Sequence, residues 1–471
     1  MVARKCRDAA QGGLMKASYW IAGLGIIVAL ALAFVPIDGL ETETARTGAL
    51  ALATIVLFAT GALPEFVITT LFFAVAMLFA LAPANVIFAG FHSAGFWMVF
   101  GGLVIGAGVR GTGLAERLAR NVSRRFGNRY TGIIIGTIVM AVVMAFLMPS
   151  TLGRLMILMP IILAMADGFG YGPGSNGRTG MVLAVSFGTM IPGFTIMSAT
   201  VPAMVIIGAS ESLYDITPIY GTWLLLHFPV LGALKAVVIG ALVIWLFPEK
   251  AVATAQREEA PVAMVRREQL MAIMLLLALA LWMTDFLHHI SPAWVALGVA
   301  GVLILPFVKI VSPQDFDEKV KLAPLFYVAG VLGLGALVAH GGVGDLLAKS
   351  VLPLLDLQPG AHAWNFAAVA GLSSTLAMFA TQPGVPAILA PLAGHMAEAA
   401  GLPVEAMLML TVVGYTTVIL PYQTPPLIIA MQLGAIPIRQ GNKLCLWLFA
   451  VTVLVLLPLD YLWWRLLGWL P

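Results

Sequence analysis

Four short segments place polar or helix-breaking residues inside otherwise apolar sequence: PSTLGR (149–154), IPGFTIMSATVP (191–202), ATQPGVP (380–386) and LPYQTPP (420–426). A break in a helix surrounded by hydrocarbon frees N–H groups on one side and carbonyls on the other. The N–H ends attract carboxylate or phosphate oxygens, while the freed carbonyls can coordinate a cation. The candidate substrate-binding residues are therefore Ser150, Thr151, Arg154, Thr200, Thr381, Gln382, Thr424 and Pro425. The candidate cation ligands are Ser150, Thr151, Gly193, Thr381 and Gln382. Small and hydroxyl residues also serve simply to pack membrane helices closely. One segment alone decides little; four in matching places point to a solute site.

Arg154 lies four residues after Ser150 on the apolar limb LGRLMILMPI. A guanidinium at membrane depth is costly unless it finds partners. It either supplies a fixed positive charge in a cation's place or contacts an anionic substrate directly. The plainer alternative is that it snorkels to the cytoplasmic surface or pairs with Asp167.

Other ionisable residues point to chemistry less sharply. His227 and Lys235 fall within one apolar stretch and His395 within another, where a histidine could relay a proton. Asp285, His288 and His289 cluster before Pro292, but without a fourth ligand or metalloprotease spacing they read as a solvated loop, and no metal is expected. No paired-carboxylate, nucleophile–base or phosphate-loop motif appears in its required context, so no catalytic residue, enzyme activity or resident cofactor is expected. GTGLAE is glycine-rich but follows an apolar helix, which is the wrong setting for nucleotide binding.

The elements that position these residues follow from composition. Of the 471 residues 61% are hydrophobic and 10% charged, and the mean hydropathy is +1.00. An ordinary soluble chain carries about 25% charged residues, so most of this surface faces lipid. A net charge of +3 gives no sign of a nucleic-acid partner. Cys6 lies in a basic tail and Cys445 in an apolar stretch, which makes a disulfide implausible. The apolar stretch after Ser18 reads as a retained first helix rather than a cleaved signal.

Spans are expected near 18–36, 47–63, 66–82, 95–110, 180–209, 220–247, 268–288, 292–310, 323–340, 404–434 and 443–467. Stretches 131–166 and 363–398 are too long for one span and are broken at their middles, as re-entrant hairpins are. The fold class is an all-α polytopic membrane protein of about 11 transmembrane helices plus two hairpins. With that count the basic clusters around Arg4, Arg117, Arg124, Arg257, Lys319 and Arg439 fall on one face, and Asp38, Glu41, Glu211 and Asp215 on the other. The basic face is the cytoplasmic one, placing the N-terminus inside and the C-terminus outside a cell (inner) membrane.

Two halves are related. A shift of 231 residues pairs Gly113 with Gly344, Ser150 with Thr381, Gly153 with Gly384 and Pro160 with Pro391. A shift of 224 pairs Thr200 with Thr424 and Pro202 with Pro426. An odd number of crossings between the halves inverts one relative to the other, the architecture of alternating-access carriers. The expected organisation is a tail (1–16), scaffold helices (17–94), a first inverted repeat (95–247), a linker (248–268), connecting helices (269–322) and a second repeat with the final helix (323–471).

FWMVFGGLVIGAGVRGTGLAERLA (96–119) and LPYQTPPLIIAMQLG (420–434) carry a resemblance over nearly the whole chain to the divalent anion/sodium symporter family of the ion transporter superfamily. That family's hairpin tips bear Ser-Asn-Thr; here the matching positions read Ser150-Thr151-Leu152 and Thr381-Gln382-Pro383, so both motifs are degenerate. The resemblance implies a homodimer in the bilayer that moves a small organic, dicarboxylate-like anion by an elevator-type mechanism, with Na+ as the candidate coupling ion. An H+-coupled carrier or anion exchanger is the alternative, and a channel or membrane-embedded enzyme a remote one.

Overall fold

The structure, a computed structural model, describes residues 19–36, 40–123, 129–148, 150–250, 263–379, 382 and 384–471, without the side chains of 119–123. The basic tail with Cys6, and Asp38, Arg124, Arg125, Pro149, Arg257 and Thr381, lie outside the described residues, as does the side chain of Arg120.

The described residues are mostly helical and contain no strand. In chain order the helices are α1 (Tyr19–Phe34), α2 (Thr42–Thr60), α3 (Glu65–Leu78), α4 (Ala94–Thr112), α5 (Leu114–Ser123), α6 (Tyr130–Leu147), α7 (Thr151–Gly168), α8 (Asn176–Met190) and α9 (Val201–Tyr214). They continue as α10 (Tyr220–Leu246), α11 (Arg266–Met283), α12 (Pro292–Ile304), α13 (Ala323–His340), α14 (Val343–Leu355), α15 (His362–Phe379), α16 (Gly384–Ala400), α17 (Val404–Tyr415), α18 (Pro425–Leu433) and α19 (Ile438–Leu466). The expected apolar stretches fall largely on these helices, with non-helical breaks inside 180–209 and 404–434. Helices α4, α6, α7, α10, α13 and α19 are each long and apolar enough to cross a bilayer, and α16 and α17 meet at 116°.

Prolines decide where regular helix fails. The π-helical stretch Phe228–Leu234 in α10 contains Pro229, and Thr452–Leu456 in α19 is followed by Pro458. A proline offers no N–H, and the backbone around it widens to re-satisfy its neighbours.

The chain divides into two compact units, each assembled from separated segments. The first comprises residues 1–96, 205–216 and 322–411. Its core gathers Phe72, Phe73, Ala76, Ile87, Leu334 and Leu337, with α13 lying on α3. Gly330 makes that approach possible: a Cβ there would meet the Thr69 side chain at 2.6 Å.

The second unit comprises residues 97–204, 217–321 and 412–471. Here α8 is packed between α6, α7, α10 and α18 and is buried over nearly its whole length. Gly101 lets α4 run against α12, where a Cβ would lie 2.7 Å from the Ala296 carbonyl carbon. Arg117 of α5 pairs with Glu268 of α11 at 2.7 Å, so this basic residue is partnered within the protein.

The expectation of a solvated loop at Asp285 is corrected. Asp285 is buried and its carboxylate accepts a hydrogen bond from the Tyr220 backbone N–H at the start of α10. Ile219 precedes that helix and has no capping side chain, so a remote carboxylate fills the role. His288 contacts the Leu281 carbonyl at 2.9 Å, and no metal-binding cluster forms among the described residues.

Candidate functional site

The site in the second unit is built from three interruptions. At the first, α6 ends at Leu147 and the backbone of Met148 and Ser150 is extended. Ser150 caps α7: its Oγ accepts from the Gly153 N–H at 3.2 Å. The first repeat's long apolar stretch is therefore two helices, ending at Leu147 and starting at Thr151.

At the second interruption, α8 gives way after Met190 to a 3-10 turn at Pro192–Thr195, and regular helix resumes only at Val201. Pro192 cannot donate to the helical ladder, so the chain leaves it here. Thr195 satisfies its own hydroxyl on the Pro192 carbonyl at 2.7 Å. At the third, α17 ends at Tyr415 and α18 begins at Pro425. Gln423 bridges this gap, its Oε1 accepting from the N–H groups of Ile419 (2.6 Å) and Leu420 (2.7 Å). Thr424 is the N-cap residue of α18 and Pro425 its first residue; the Thr424 hydroxyl donates to the Pro421 carbonyl at 3.3 Å.

Arg154 sits where the first two interruptions meet. Helical side chains lean toward the helix N-terminus, so from the first turn of α7 its guanidinium reaches back over the tip. Nη1 donates to the carbonyls of Met148 and of Ala199, the latter at 3.1 Å. Nη2 donates to the Thr189 carbonyl at 3.1 Å and to the Thr151 hydroxyl at 3.2 Å. The side chain is wholly buried, and among the described residues no carboxylate lies within ion-pairing distance of it. The snorkelling and Asp167 alternatives are both overturned, since Asp167 pairs with Arg178.

Gly193 completes the enclosure. A Cβ there would stand 2.9 Å from Arg154 Nη2 and 3.5 Å from Thr200 Cγ2. The structure thus brings Ser150, Thr151, Arg154, Gly193 and Thr200 together. Within this neighbourhood Arg154 Nε and the hydroxyls of Thr189 and Thr200 are buried without a hydrogen-bond partner. Such groups are costly in a protein interior and mark places where a ligand or water is accommodated.

Two further cations of this unit, Arg110 and Lys235, lie beside the interruptions. Arg110, at the end of α4, is half-buried and donates to the Lys319 carbonyl at 3.2 Å. Its Nη1 would lie 3.0 Å from a Cβ on Gly153, whose distance to Ser150 Oγ would be 3.1 Å, so Arg110 lies beside the tip. Lys235 is buried in α10 and donates to the Thr416 carbonyl, opened by the third interruption, at 2.9 Å. Asp460, also buried, belongs to the same unit.

The stretch expected as a second hairpin falls in the first unit. Gln382, between α15 and α16, is buried, and its backbone carbonyl accepts from the Val385 N–H at 3.3 Å. The returning limb α16 is interrupted by a 3-10 turn at Ala390–Leu392, and a tyrosine holds that turn open. Tyr214 donates its hydroxyl to the Ala390 carbonyl (2.7 Å) and accepts from the Gly394 N–H (3.1 Å). These two backbone groups would bond each other in an unbroken helix. His395 contacts Asp345 at 3.0 Å, with both side chains partly exposed.

Sequence reasoning missed the carbonyls of Met148, Thr189 and Ala199, and the roles of Gln423, Arg110 and Tyr214. Main-chain acceptors carry no sequence signal beyond the break that frees them. Gln423 had one: an amide between prolines in an apolar run.

Comparison with known proteins places this architecture. The family described as the sodium:sulfate symporter transmembrane region matches residues 16–470. A Cupriavidus necator protein described only as a membrane protein is 22% identical over 393 residues, covering 81% of this chain and 76% of the relative. The crystal structure of the Alcanivorax borkumensis YdaH transporter, reported as having an unusual topology, has a similar fold. Its TM-score is 0.56 at 15% identity, covering 97% of this chain and 99% of that one.

Proposed function

The chain belongs to the sodium:sulfate symporter family, and from that premise we propose that it is a secondary active transporter of a small, dicarboxylate-like organic anion, coupled to Na+ and working by elevator-type alternating access. The observation that carries the reading is the buried oxygen cradle at the meeting of two helix interruptions, with an orphaned guanidinium N–H and two orphaned hydroxyls around it. Open backbone of this kind persists at membrane depth only where it serves a cavity or is enclosed by protein.

The polar groups are neutral donors and cations, the pattern suited to an anion. Ser150, Thr151 and Thr200 offer hydroxyls, and the N-terminal turn of α7 offers backbone N–H groups near Thr151. The half-buried guanidinium of Arg110 beside Ser150 supports the same sign of substrate. Thr381, Gln382 and Thr424 complete the proposed substrate set, and Thr381 and Gln382 the Na+ ligands of the second repeat. Division of the chain into two compact units supports a moving and a stationary part. The reading further takes the protein as a homodimer in the inner membrane, N-terminus in and C-terminus out, organised as the two inverted repeats described above.

A second reading, an H+-coupled carrier or an anion exchanger, is favoured by one observation: the first cradle already holds a cation of the protein's own. Counterflow in proteoliposomes separates these possibilities. Saturable exchange of labelled succinate or sulfate, faster in Na+ than in K+, is the expected result. Saturable exchange indifferent to Na+ supports the second reading. Unsaturable flux or chemical conversion of the anion would replace the carrier with a channel or an enzyme.

A further inference from the structure

We infer that the Arg154 guanidinium is a tethered stand-in for a coupling cation, so that the first repeat contributes its positive charge without binding Na+. The inference deepens the transport reading and rests on it for its functional meaning. Its structural basis is separate.

The cradle's composition is that of a hard-cation site. Four oxygens converge on Arg154: the carbonyls of Met148, Thr189 and Ala199 and the hydroxyl of Thr151. They come from two interruptions about 40 residues apart, and three are main-chain carbonyls. Neutral oxygens freed by unwound helix are what membrane carriers use to coordinate Na+. Here the guanidinium occupies that position and no carboxylate balances it among the described residues. Three carbonyls and one hydroxyl solvate the charge, as they would a bare ion.

Two further features fit a stand-in rather than a packing arginine. The cradle is closed on one side by Gly193, where even a methyl group would press on Nη2. Of the residues expected to hold a cation in this repeat, Thr151 and Gly193 border the guanidinium, and Ser150 caps the helix that carries it. A permanent charge here lowers the number of ions moved per substrate, because it travels with the protein and never exchanges.

The test is thermal unfolding of the purified full-length protein in NaCl and in choline chloride, for the wild type and for Arg154→Ala and Arg154→Lys. Removing the guanidinium empties a four-oxygen cradle. The Na+-minus-choline difference in Tm is expected to rise in Arg154→Ala, by about 3 °C when Na+ is a hundredfold above its Kd. A few millimolar methylguanidinium should remove that extra difference by refilling the cradle. Arg154→Lys keeps a tethered charge and should respond to Na+ as the wild type does. The inference is overturned by an Arg154→Ala difference equal to the wild type's, or by an Arg154→Lys difference larger than the wild type's. If Arg154→Ala cannot be recovered, the Lys variant alone decides. Melting requires no substrate, so failure here is distinct from absence of succinate or sulfate counterflow, which would defeat the transport reading.

Discussion

Lys235 Nζ lies 2.9 Å from the carbonyl oxygen of Thr416, a buried ammonium serving a carbonyl that the third helix interruption has opened. Asp460, of the final helix, lies buried in the same unit without forming a direct ion pair with it. Removing the lysine leaves the opened Thr416 carbonyl without its donor.

Lys235→Met should lower the unfolding free energy by about 3 kcal/mol, the scale on which breaking a buried charge arrangement acts. Asp460→Asn should be milder, and the double variant should lose less than the two singles added together. A thermal or denaturant melt of the four proteins closes the cycle. Strict additivity would show that the two charges do not depend on each other.

Gly193 is held to glycine by contact rather than by conformation. Gly193→Ala sets a methyl group 2.9 Å from Arg154 Nη2, an atom already fixed by acceptors and unable to give way cheaply. A cost of about 1–3 kcal/mol is expected, as for overpacking elsewhere. Transport should be lost with it. Gly172→Ala, with nothing within 4 Å of its Cβ, is the control and should change stability by less than about 0.5 kcal/mol. Equal behaviour of the two variants would mean that the cradle yields.

The sequence showed more of the fold than of the site, for a physical reason. Membrane-depth helices must satisfy their backbone internally, so apolar length marks α2, α6, α10 and α13 directly, and a Pro-Ser or Pro-Gly inside such a run marks a break. Ser150, Thr151, Gly193 and Thr200 were legible because they occupy those breaks. Division into two units was not, since hydropathy is uniform along the chain and the units interleave its segments. Arg154 was conspicuous by type, but its partners were hidden: Thr189 and Ala199 contribute only carbonyls, and any residue type would supply the same atom. Asp285 misled because neighbouring histidines suggested a polar loop, while its partner Tyr220 lies 65 residues away.

Gln423 offers a test of the third interruption. Gln423→Ala leaves the partly buried N–H groups of Ile419 and Leu420 without their shared acceptor, at a cost of about 1–3 kcal/mol. Gln423→Glu keeps the acceptor oxygens and should preserve the hydrogen bonds while adding a negative charge beside a proposed anion site. The expected pattern is lower stability in the first variant, and in the second a raised KM for anion counterflow with stability better retained. A Glu variant as unstable as the Ala variant would show that the bridge is more than a pair of accepted hydrogen bonds.

Tyr214 makes the last case, in the other unit. Its hydroxyl stands between the Ala390 carbonyl and the Gly394 N–H, replacing one helical hydrogen bond with two to a side chain. A group inserted into the ladder in this way bends a helix, and here it coincides with the 3-10 turn at Ala390–Leu392. Tyr214→Phe keeps the ring and removes the wedge. Two outcomes compete: the freed groups stay apart, at a cost of about 1–3 kcal/mol, or the turn closes into regular helix. The flanking Pro391 opposes closure, so the first is expected. Amide exchange at Gly394 should then accelerate while the rest of α16 keeps its protection. Slower exchange at Gly394 would mean that the limb had straightened, and that the tyrosine alone maintains the break.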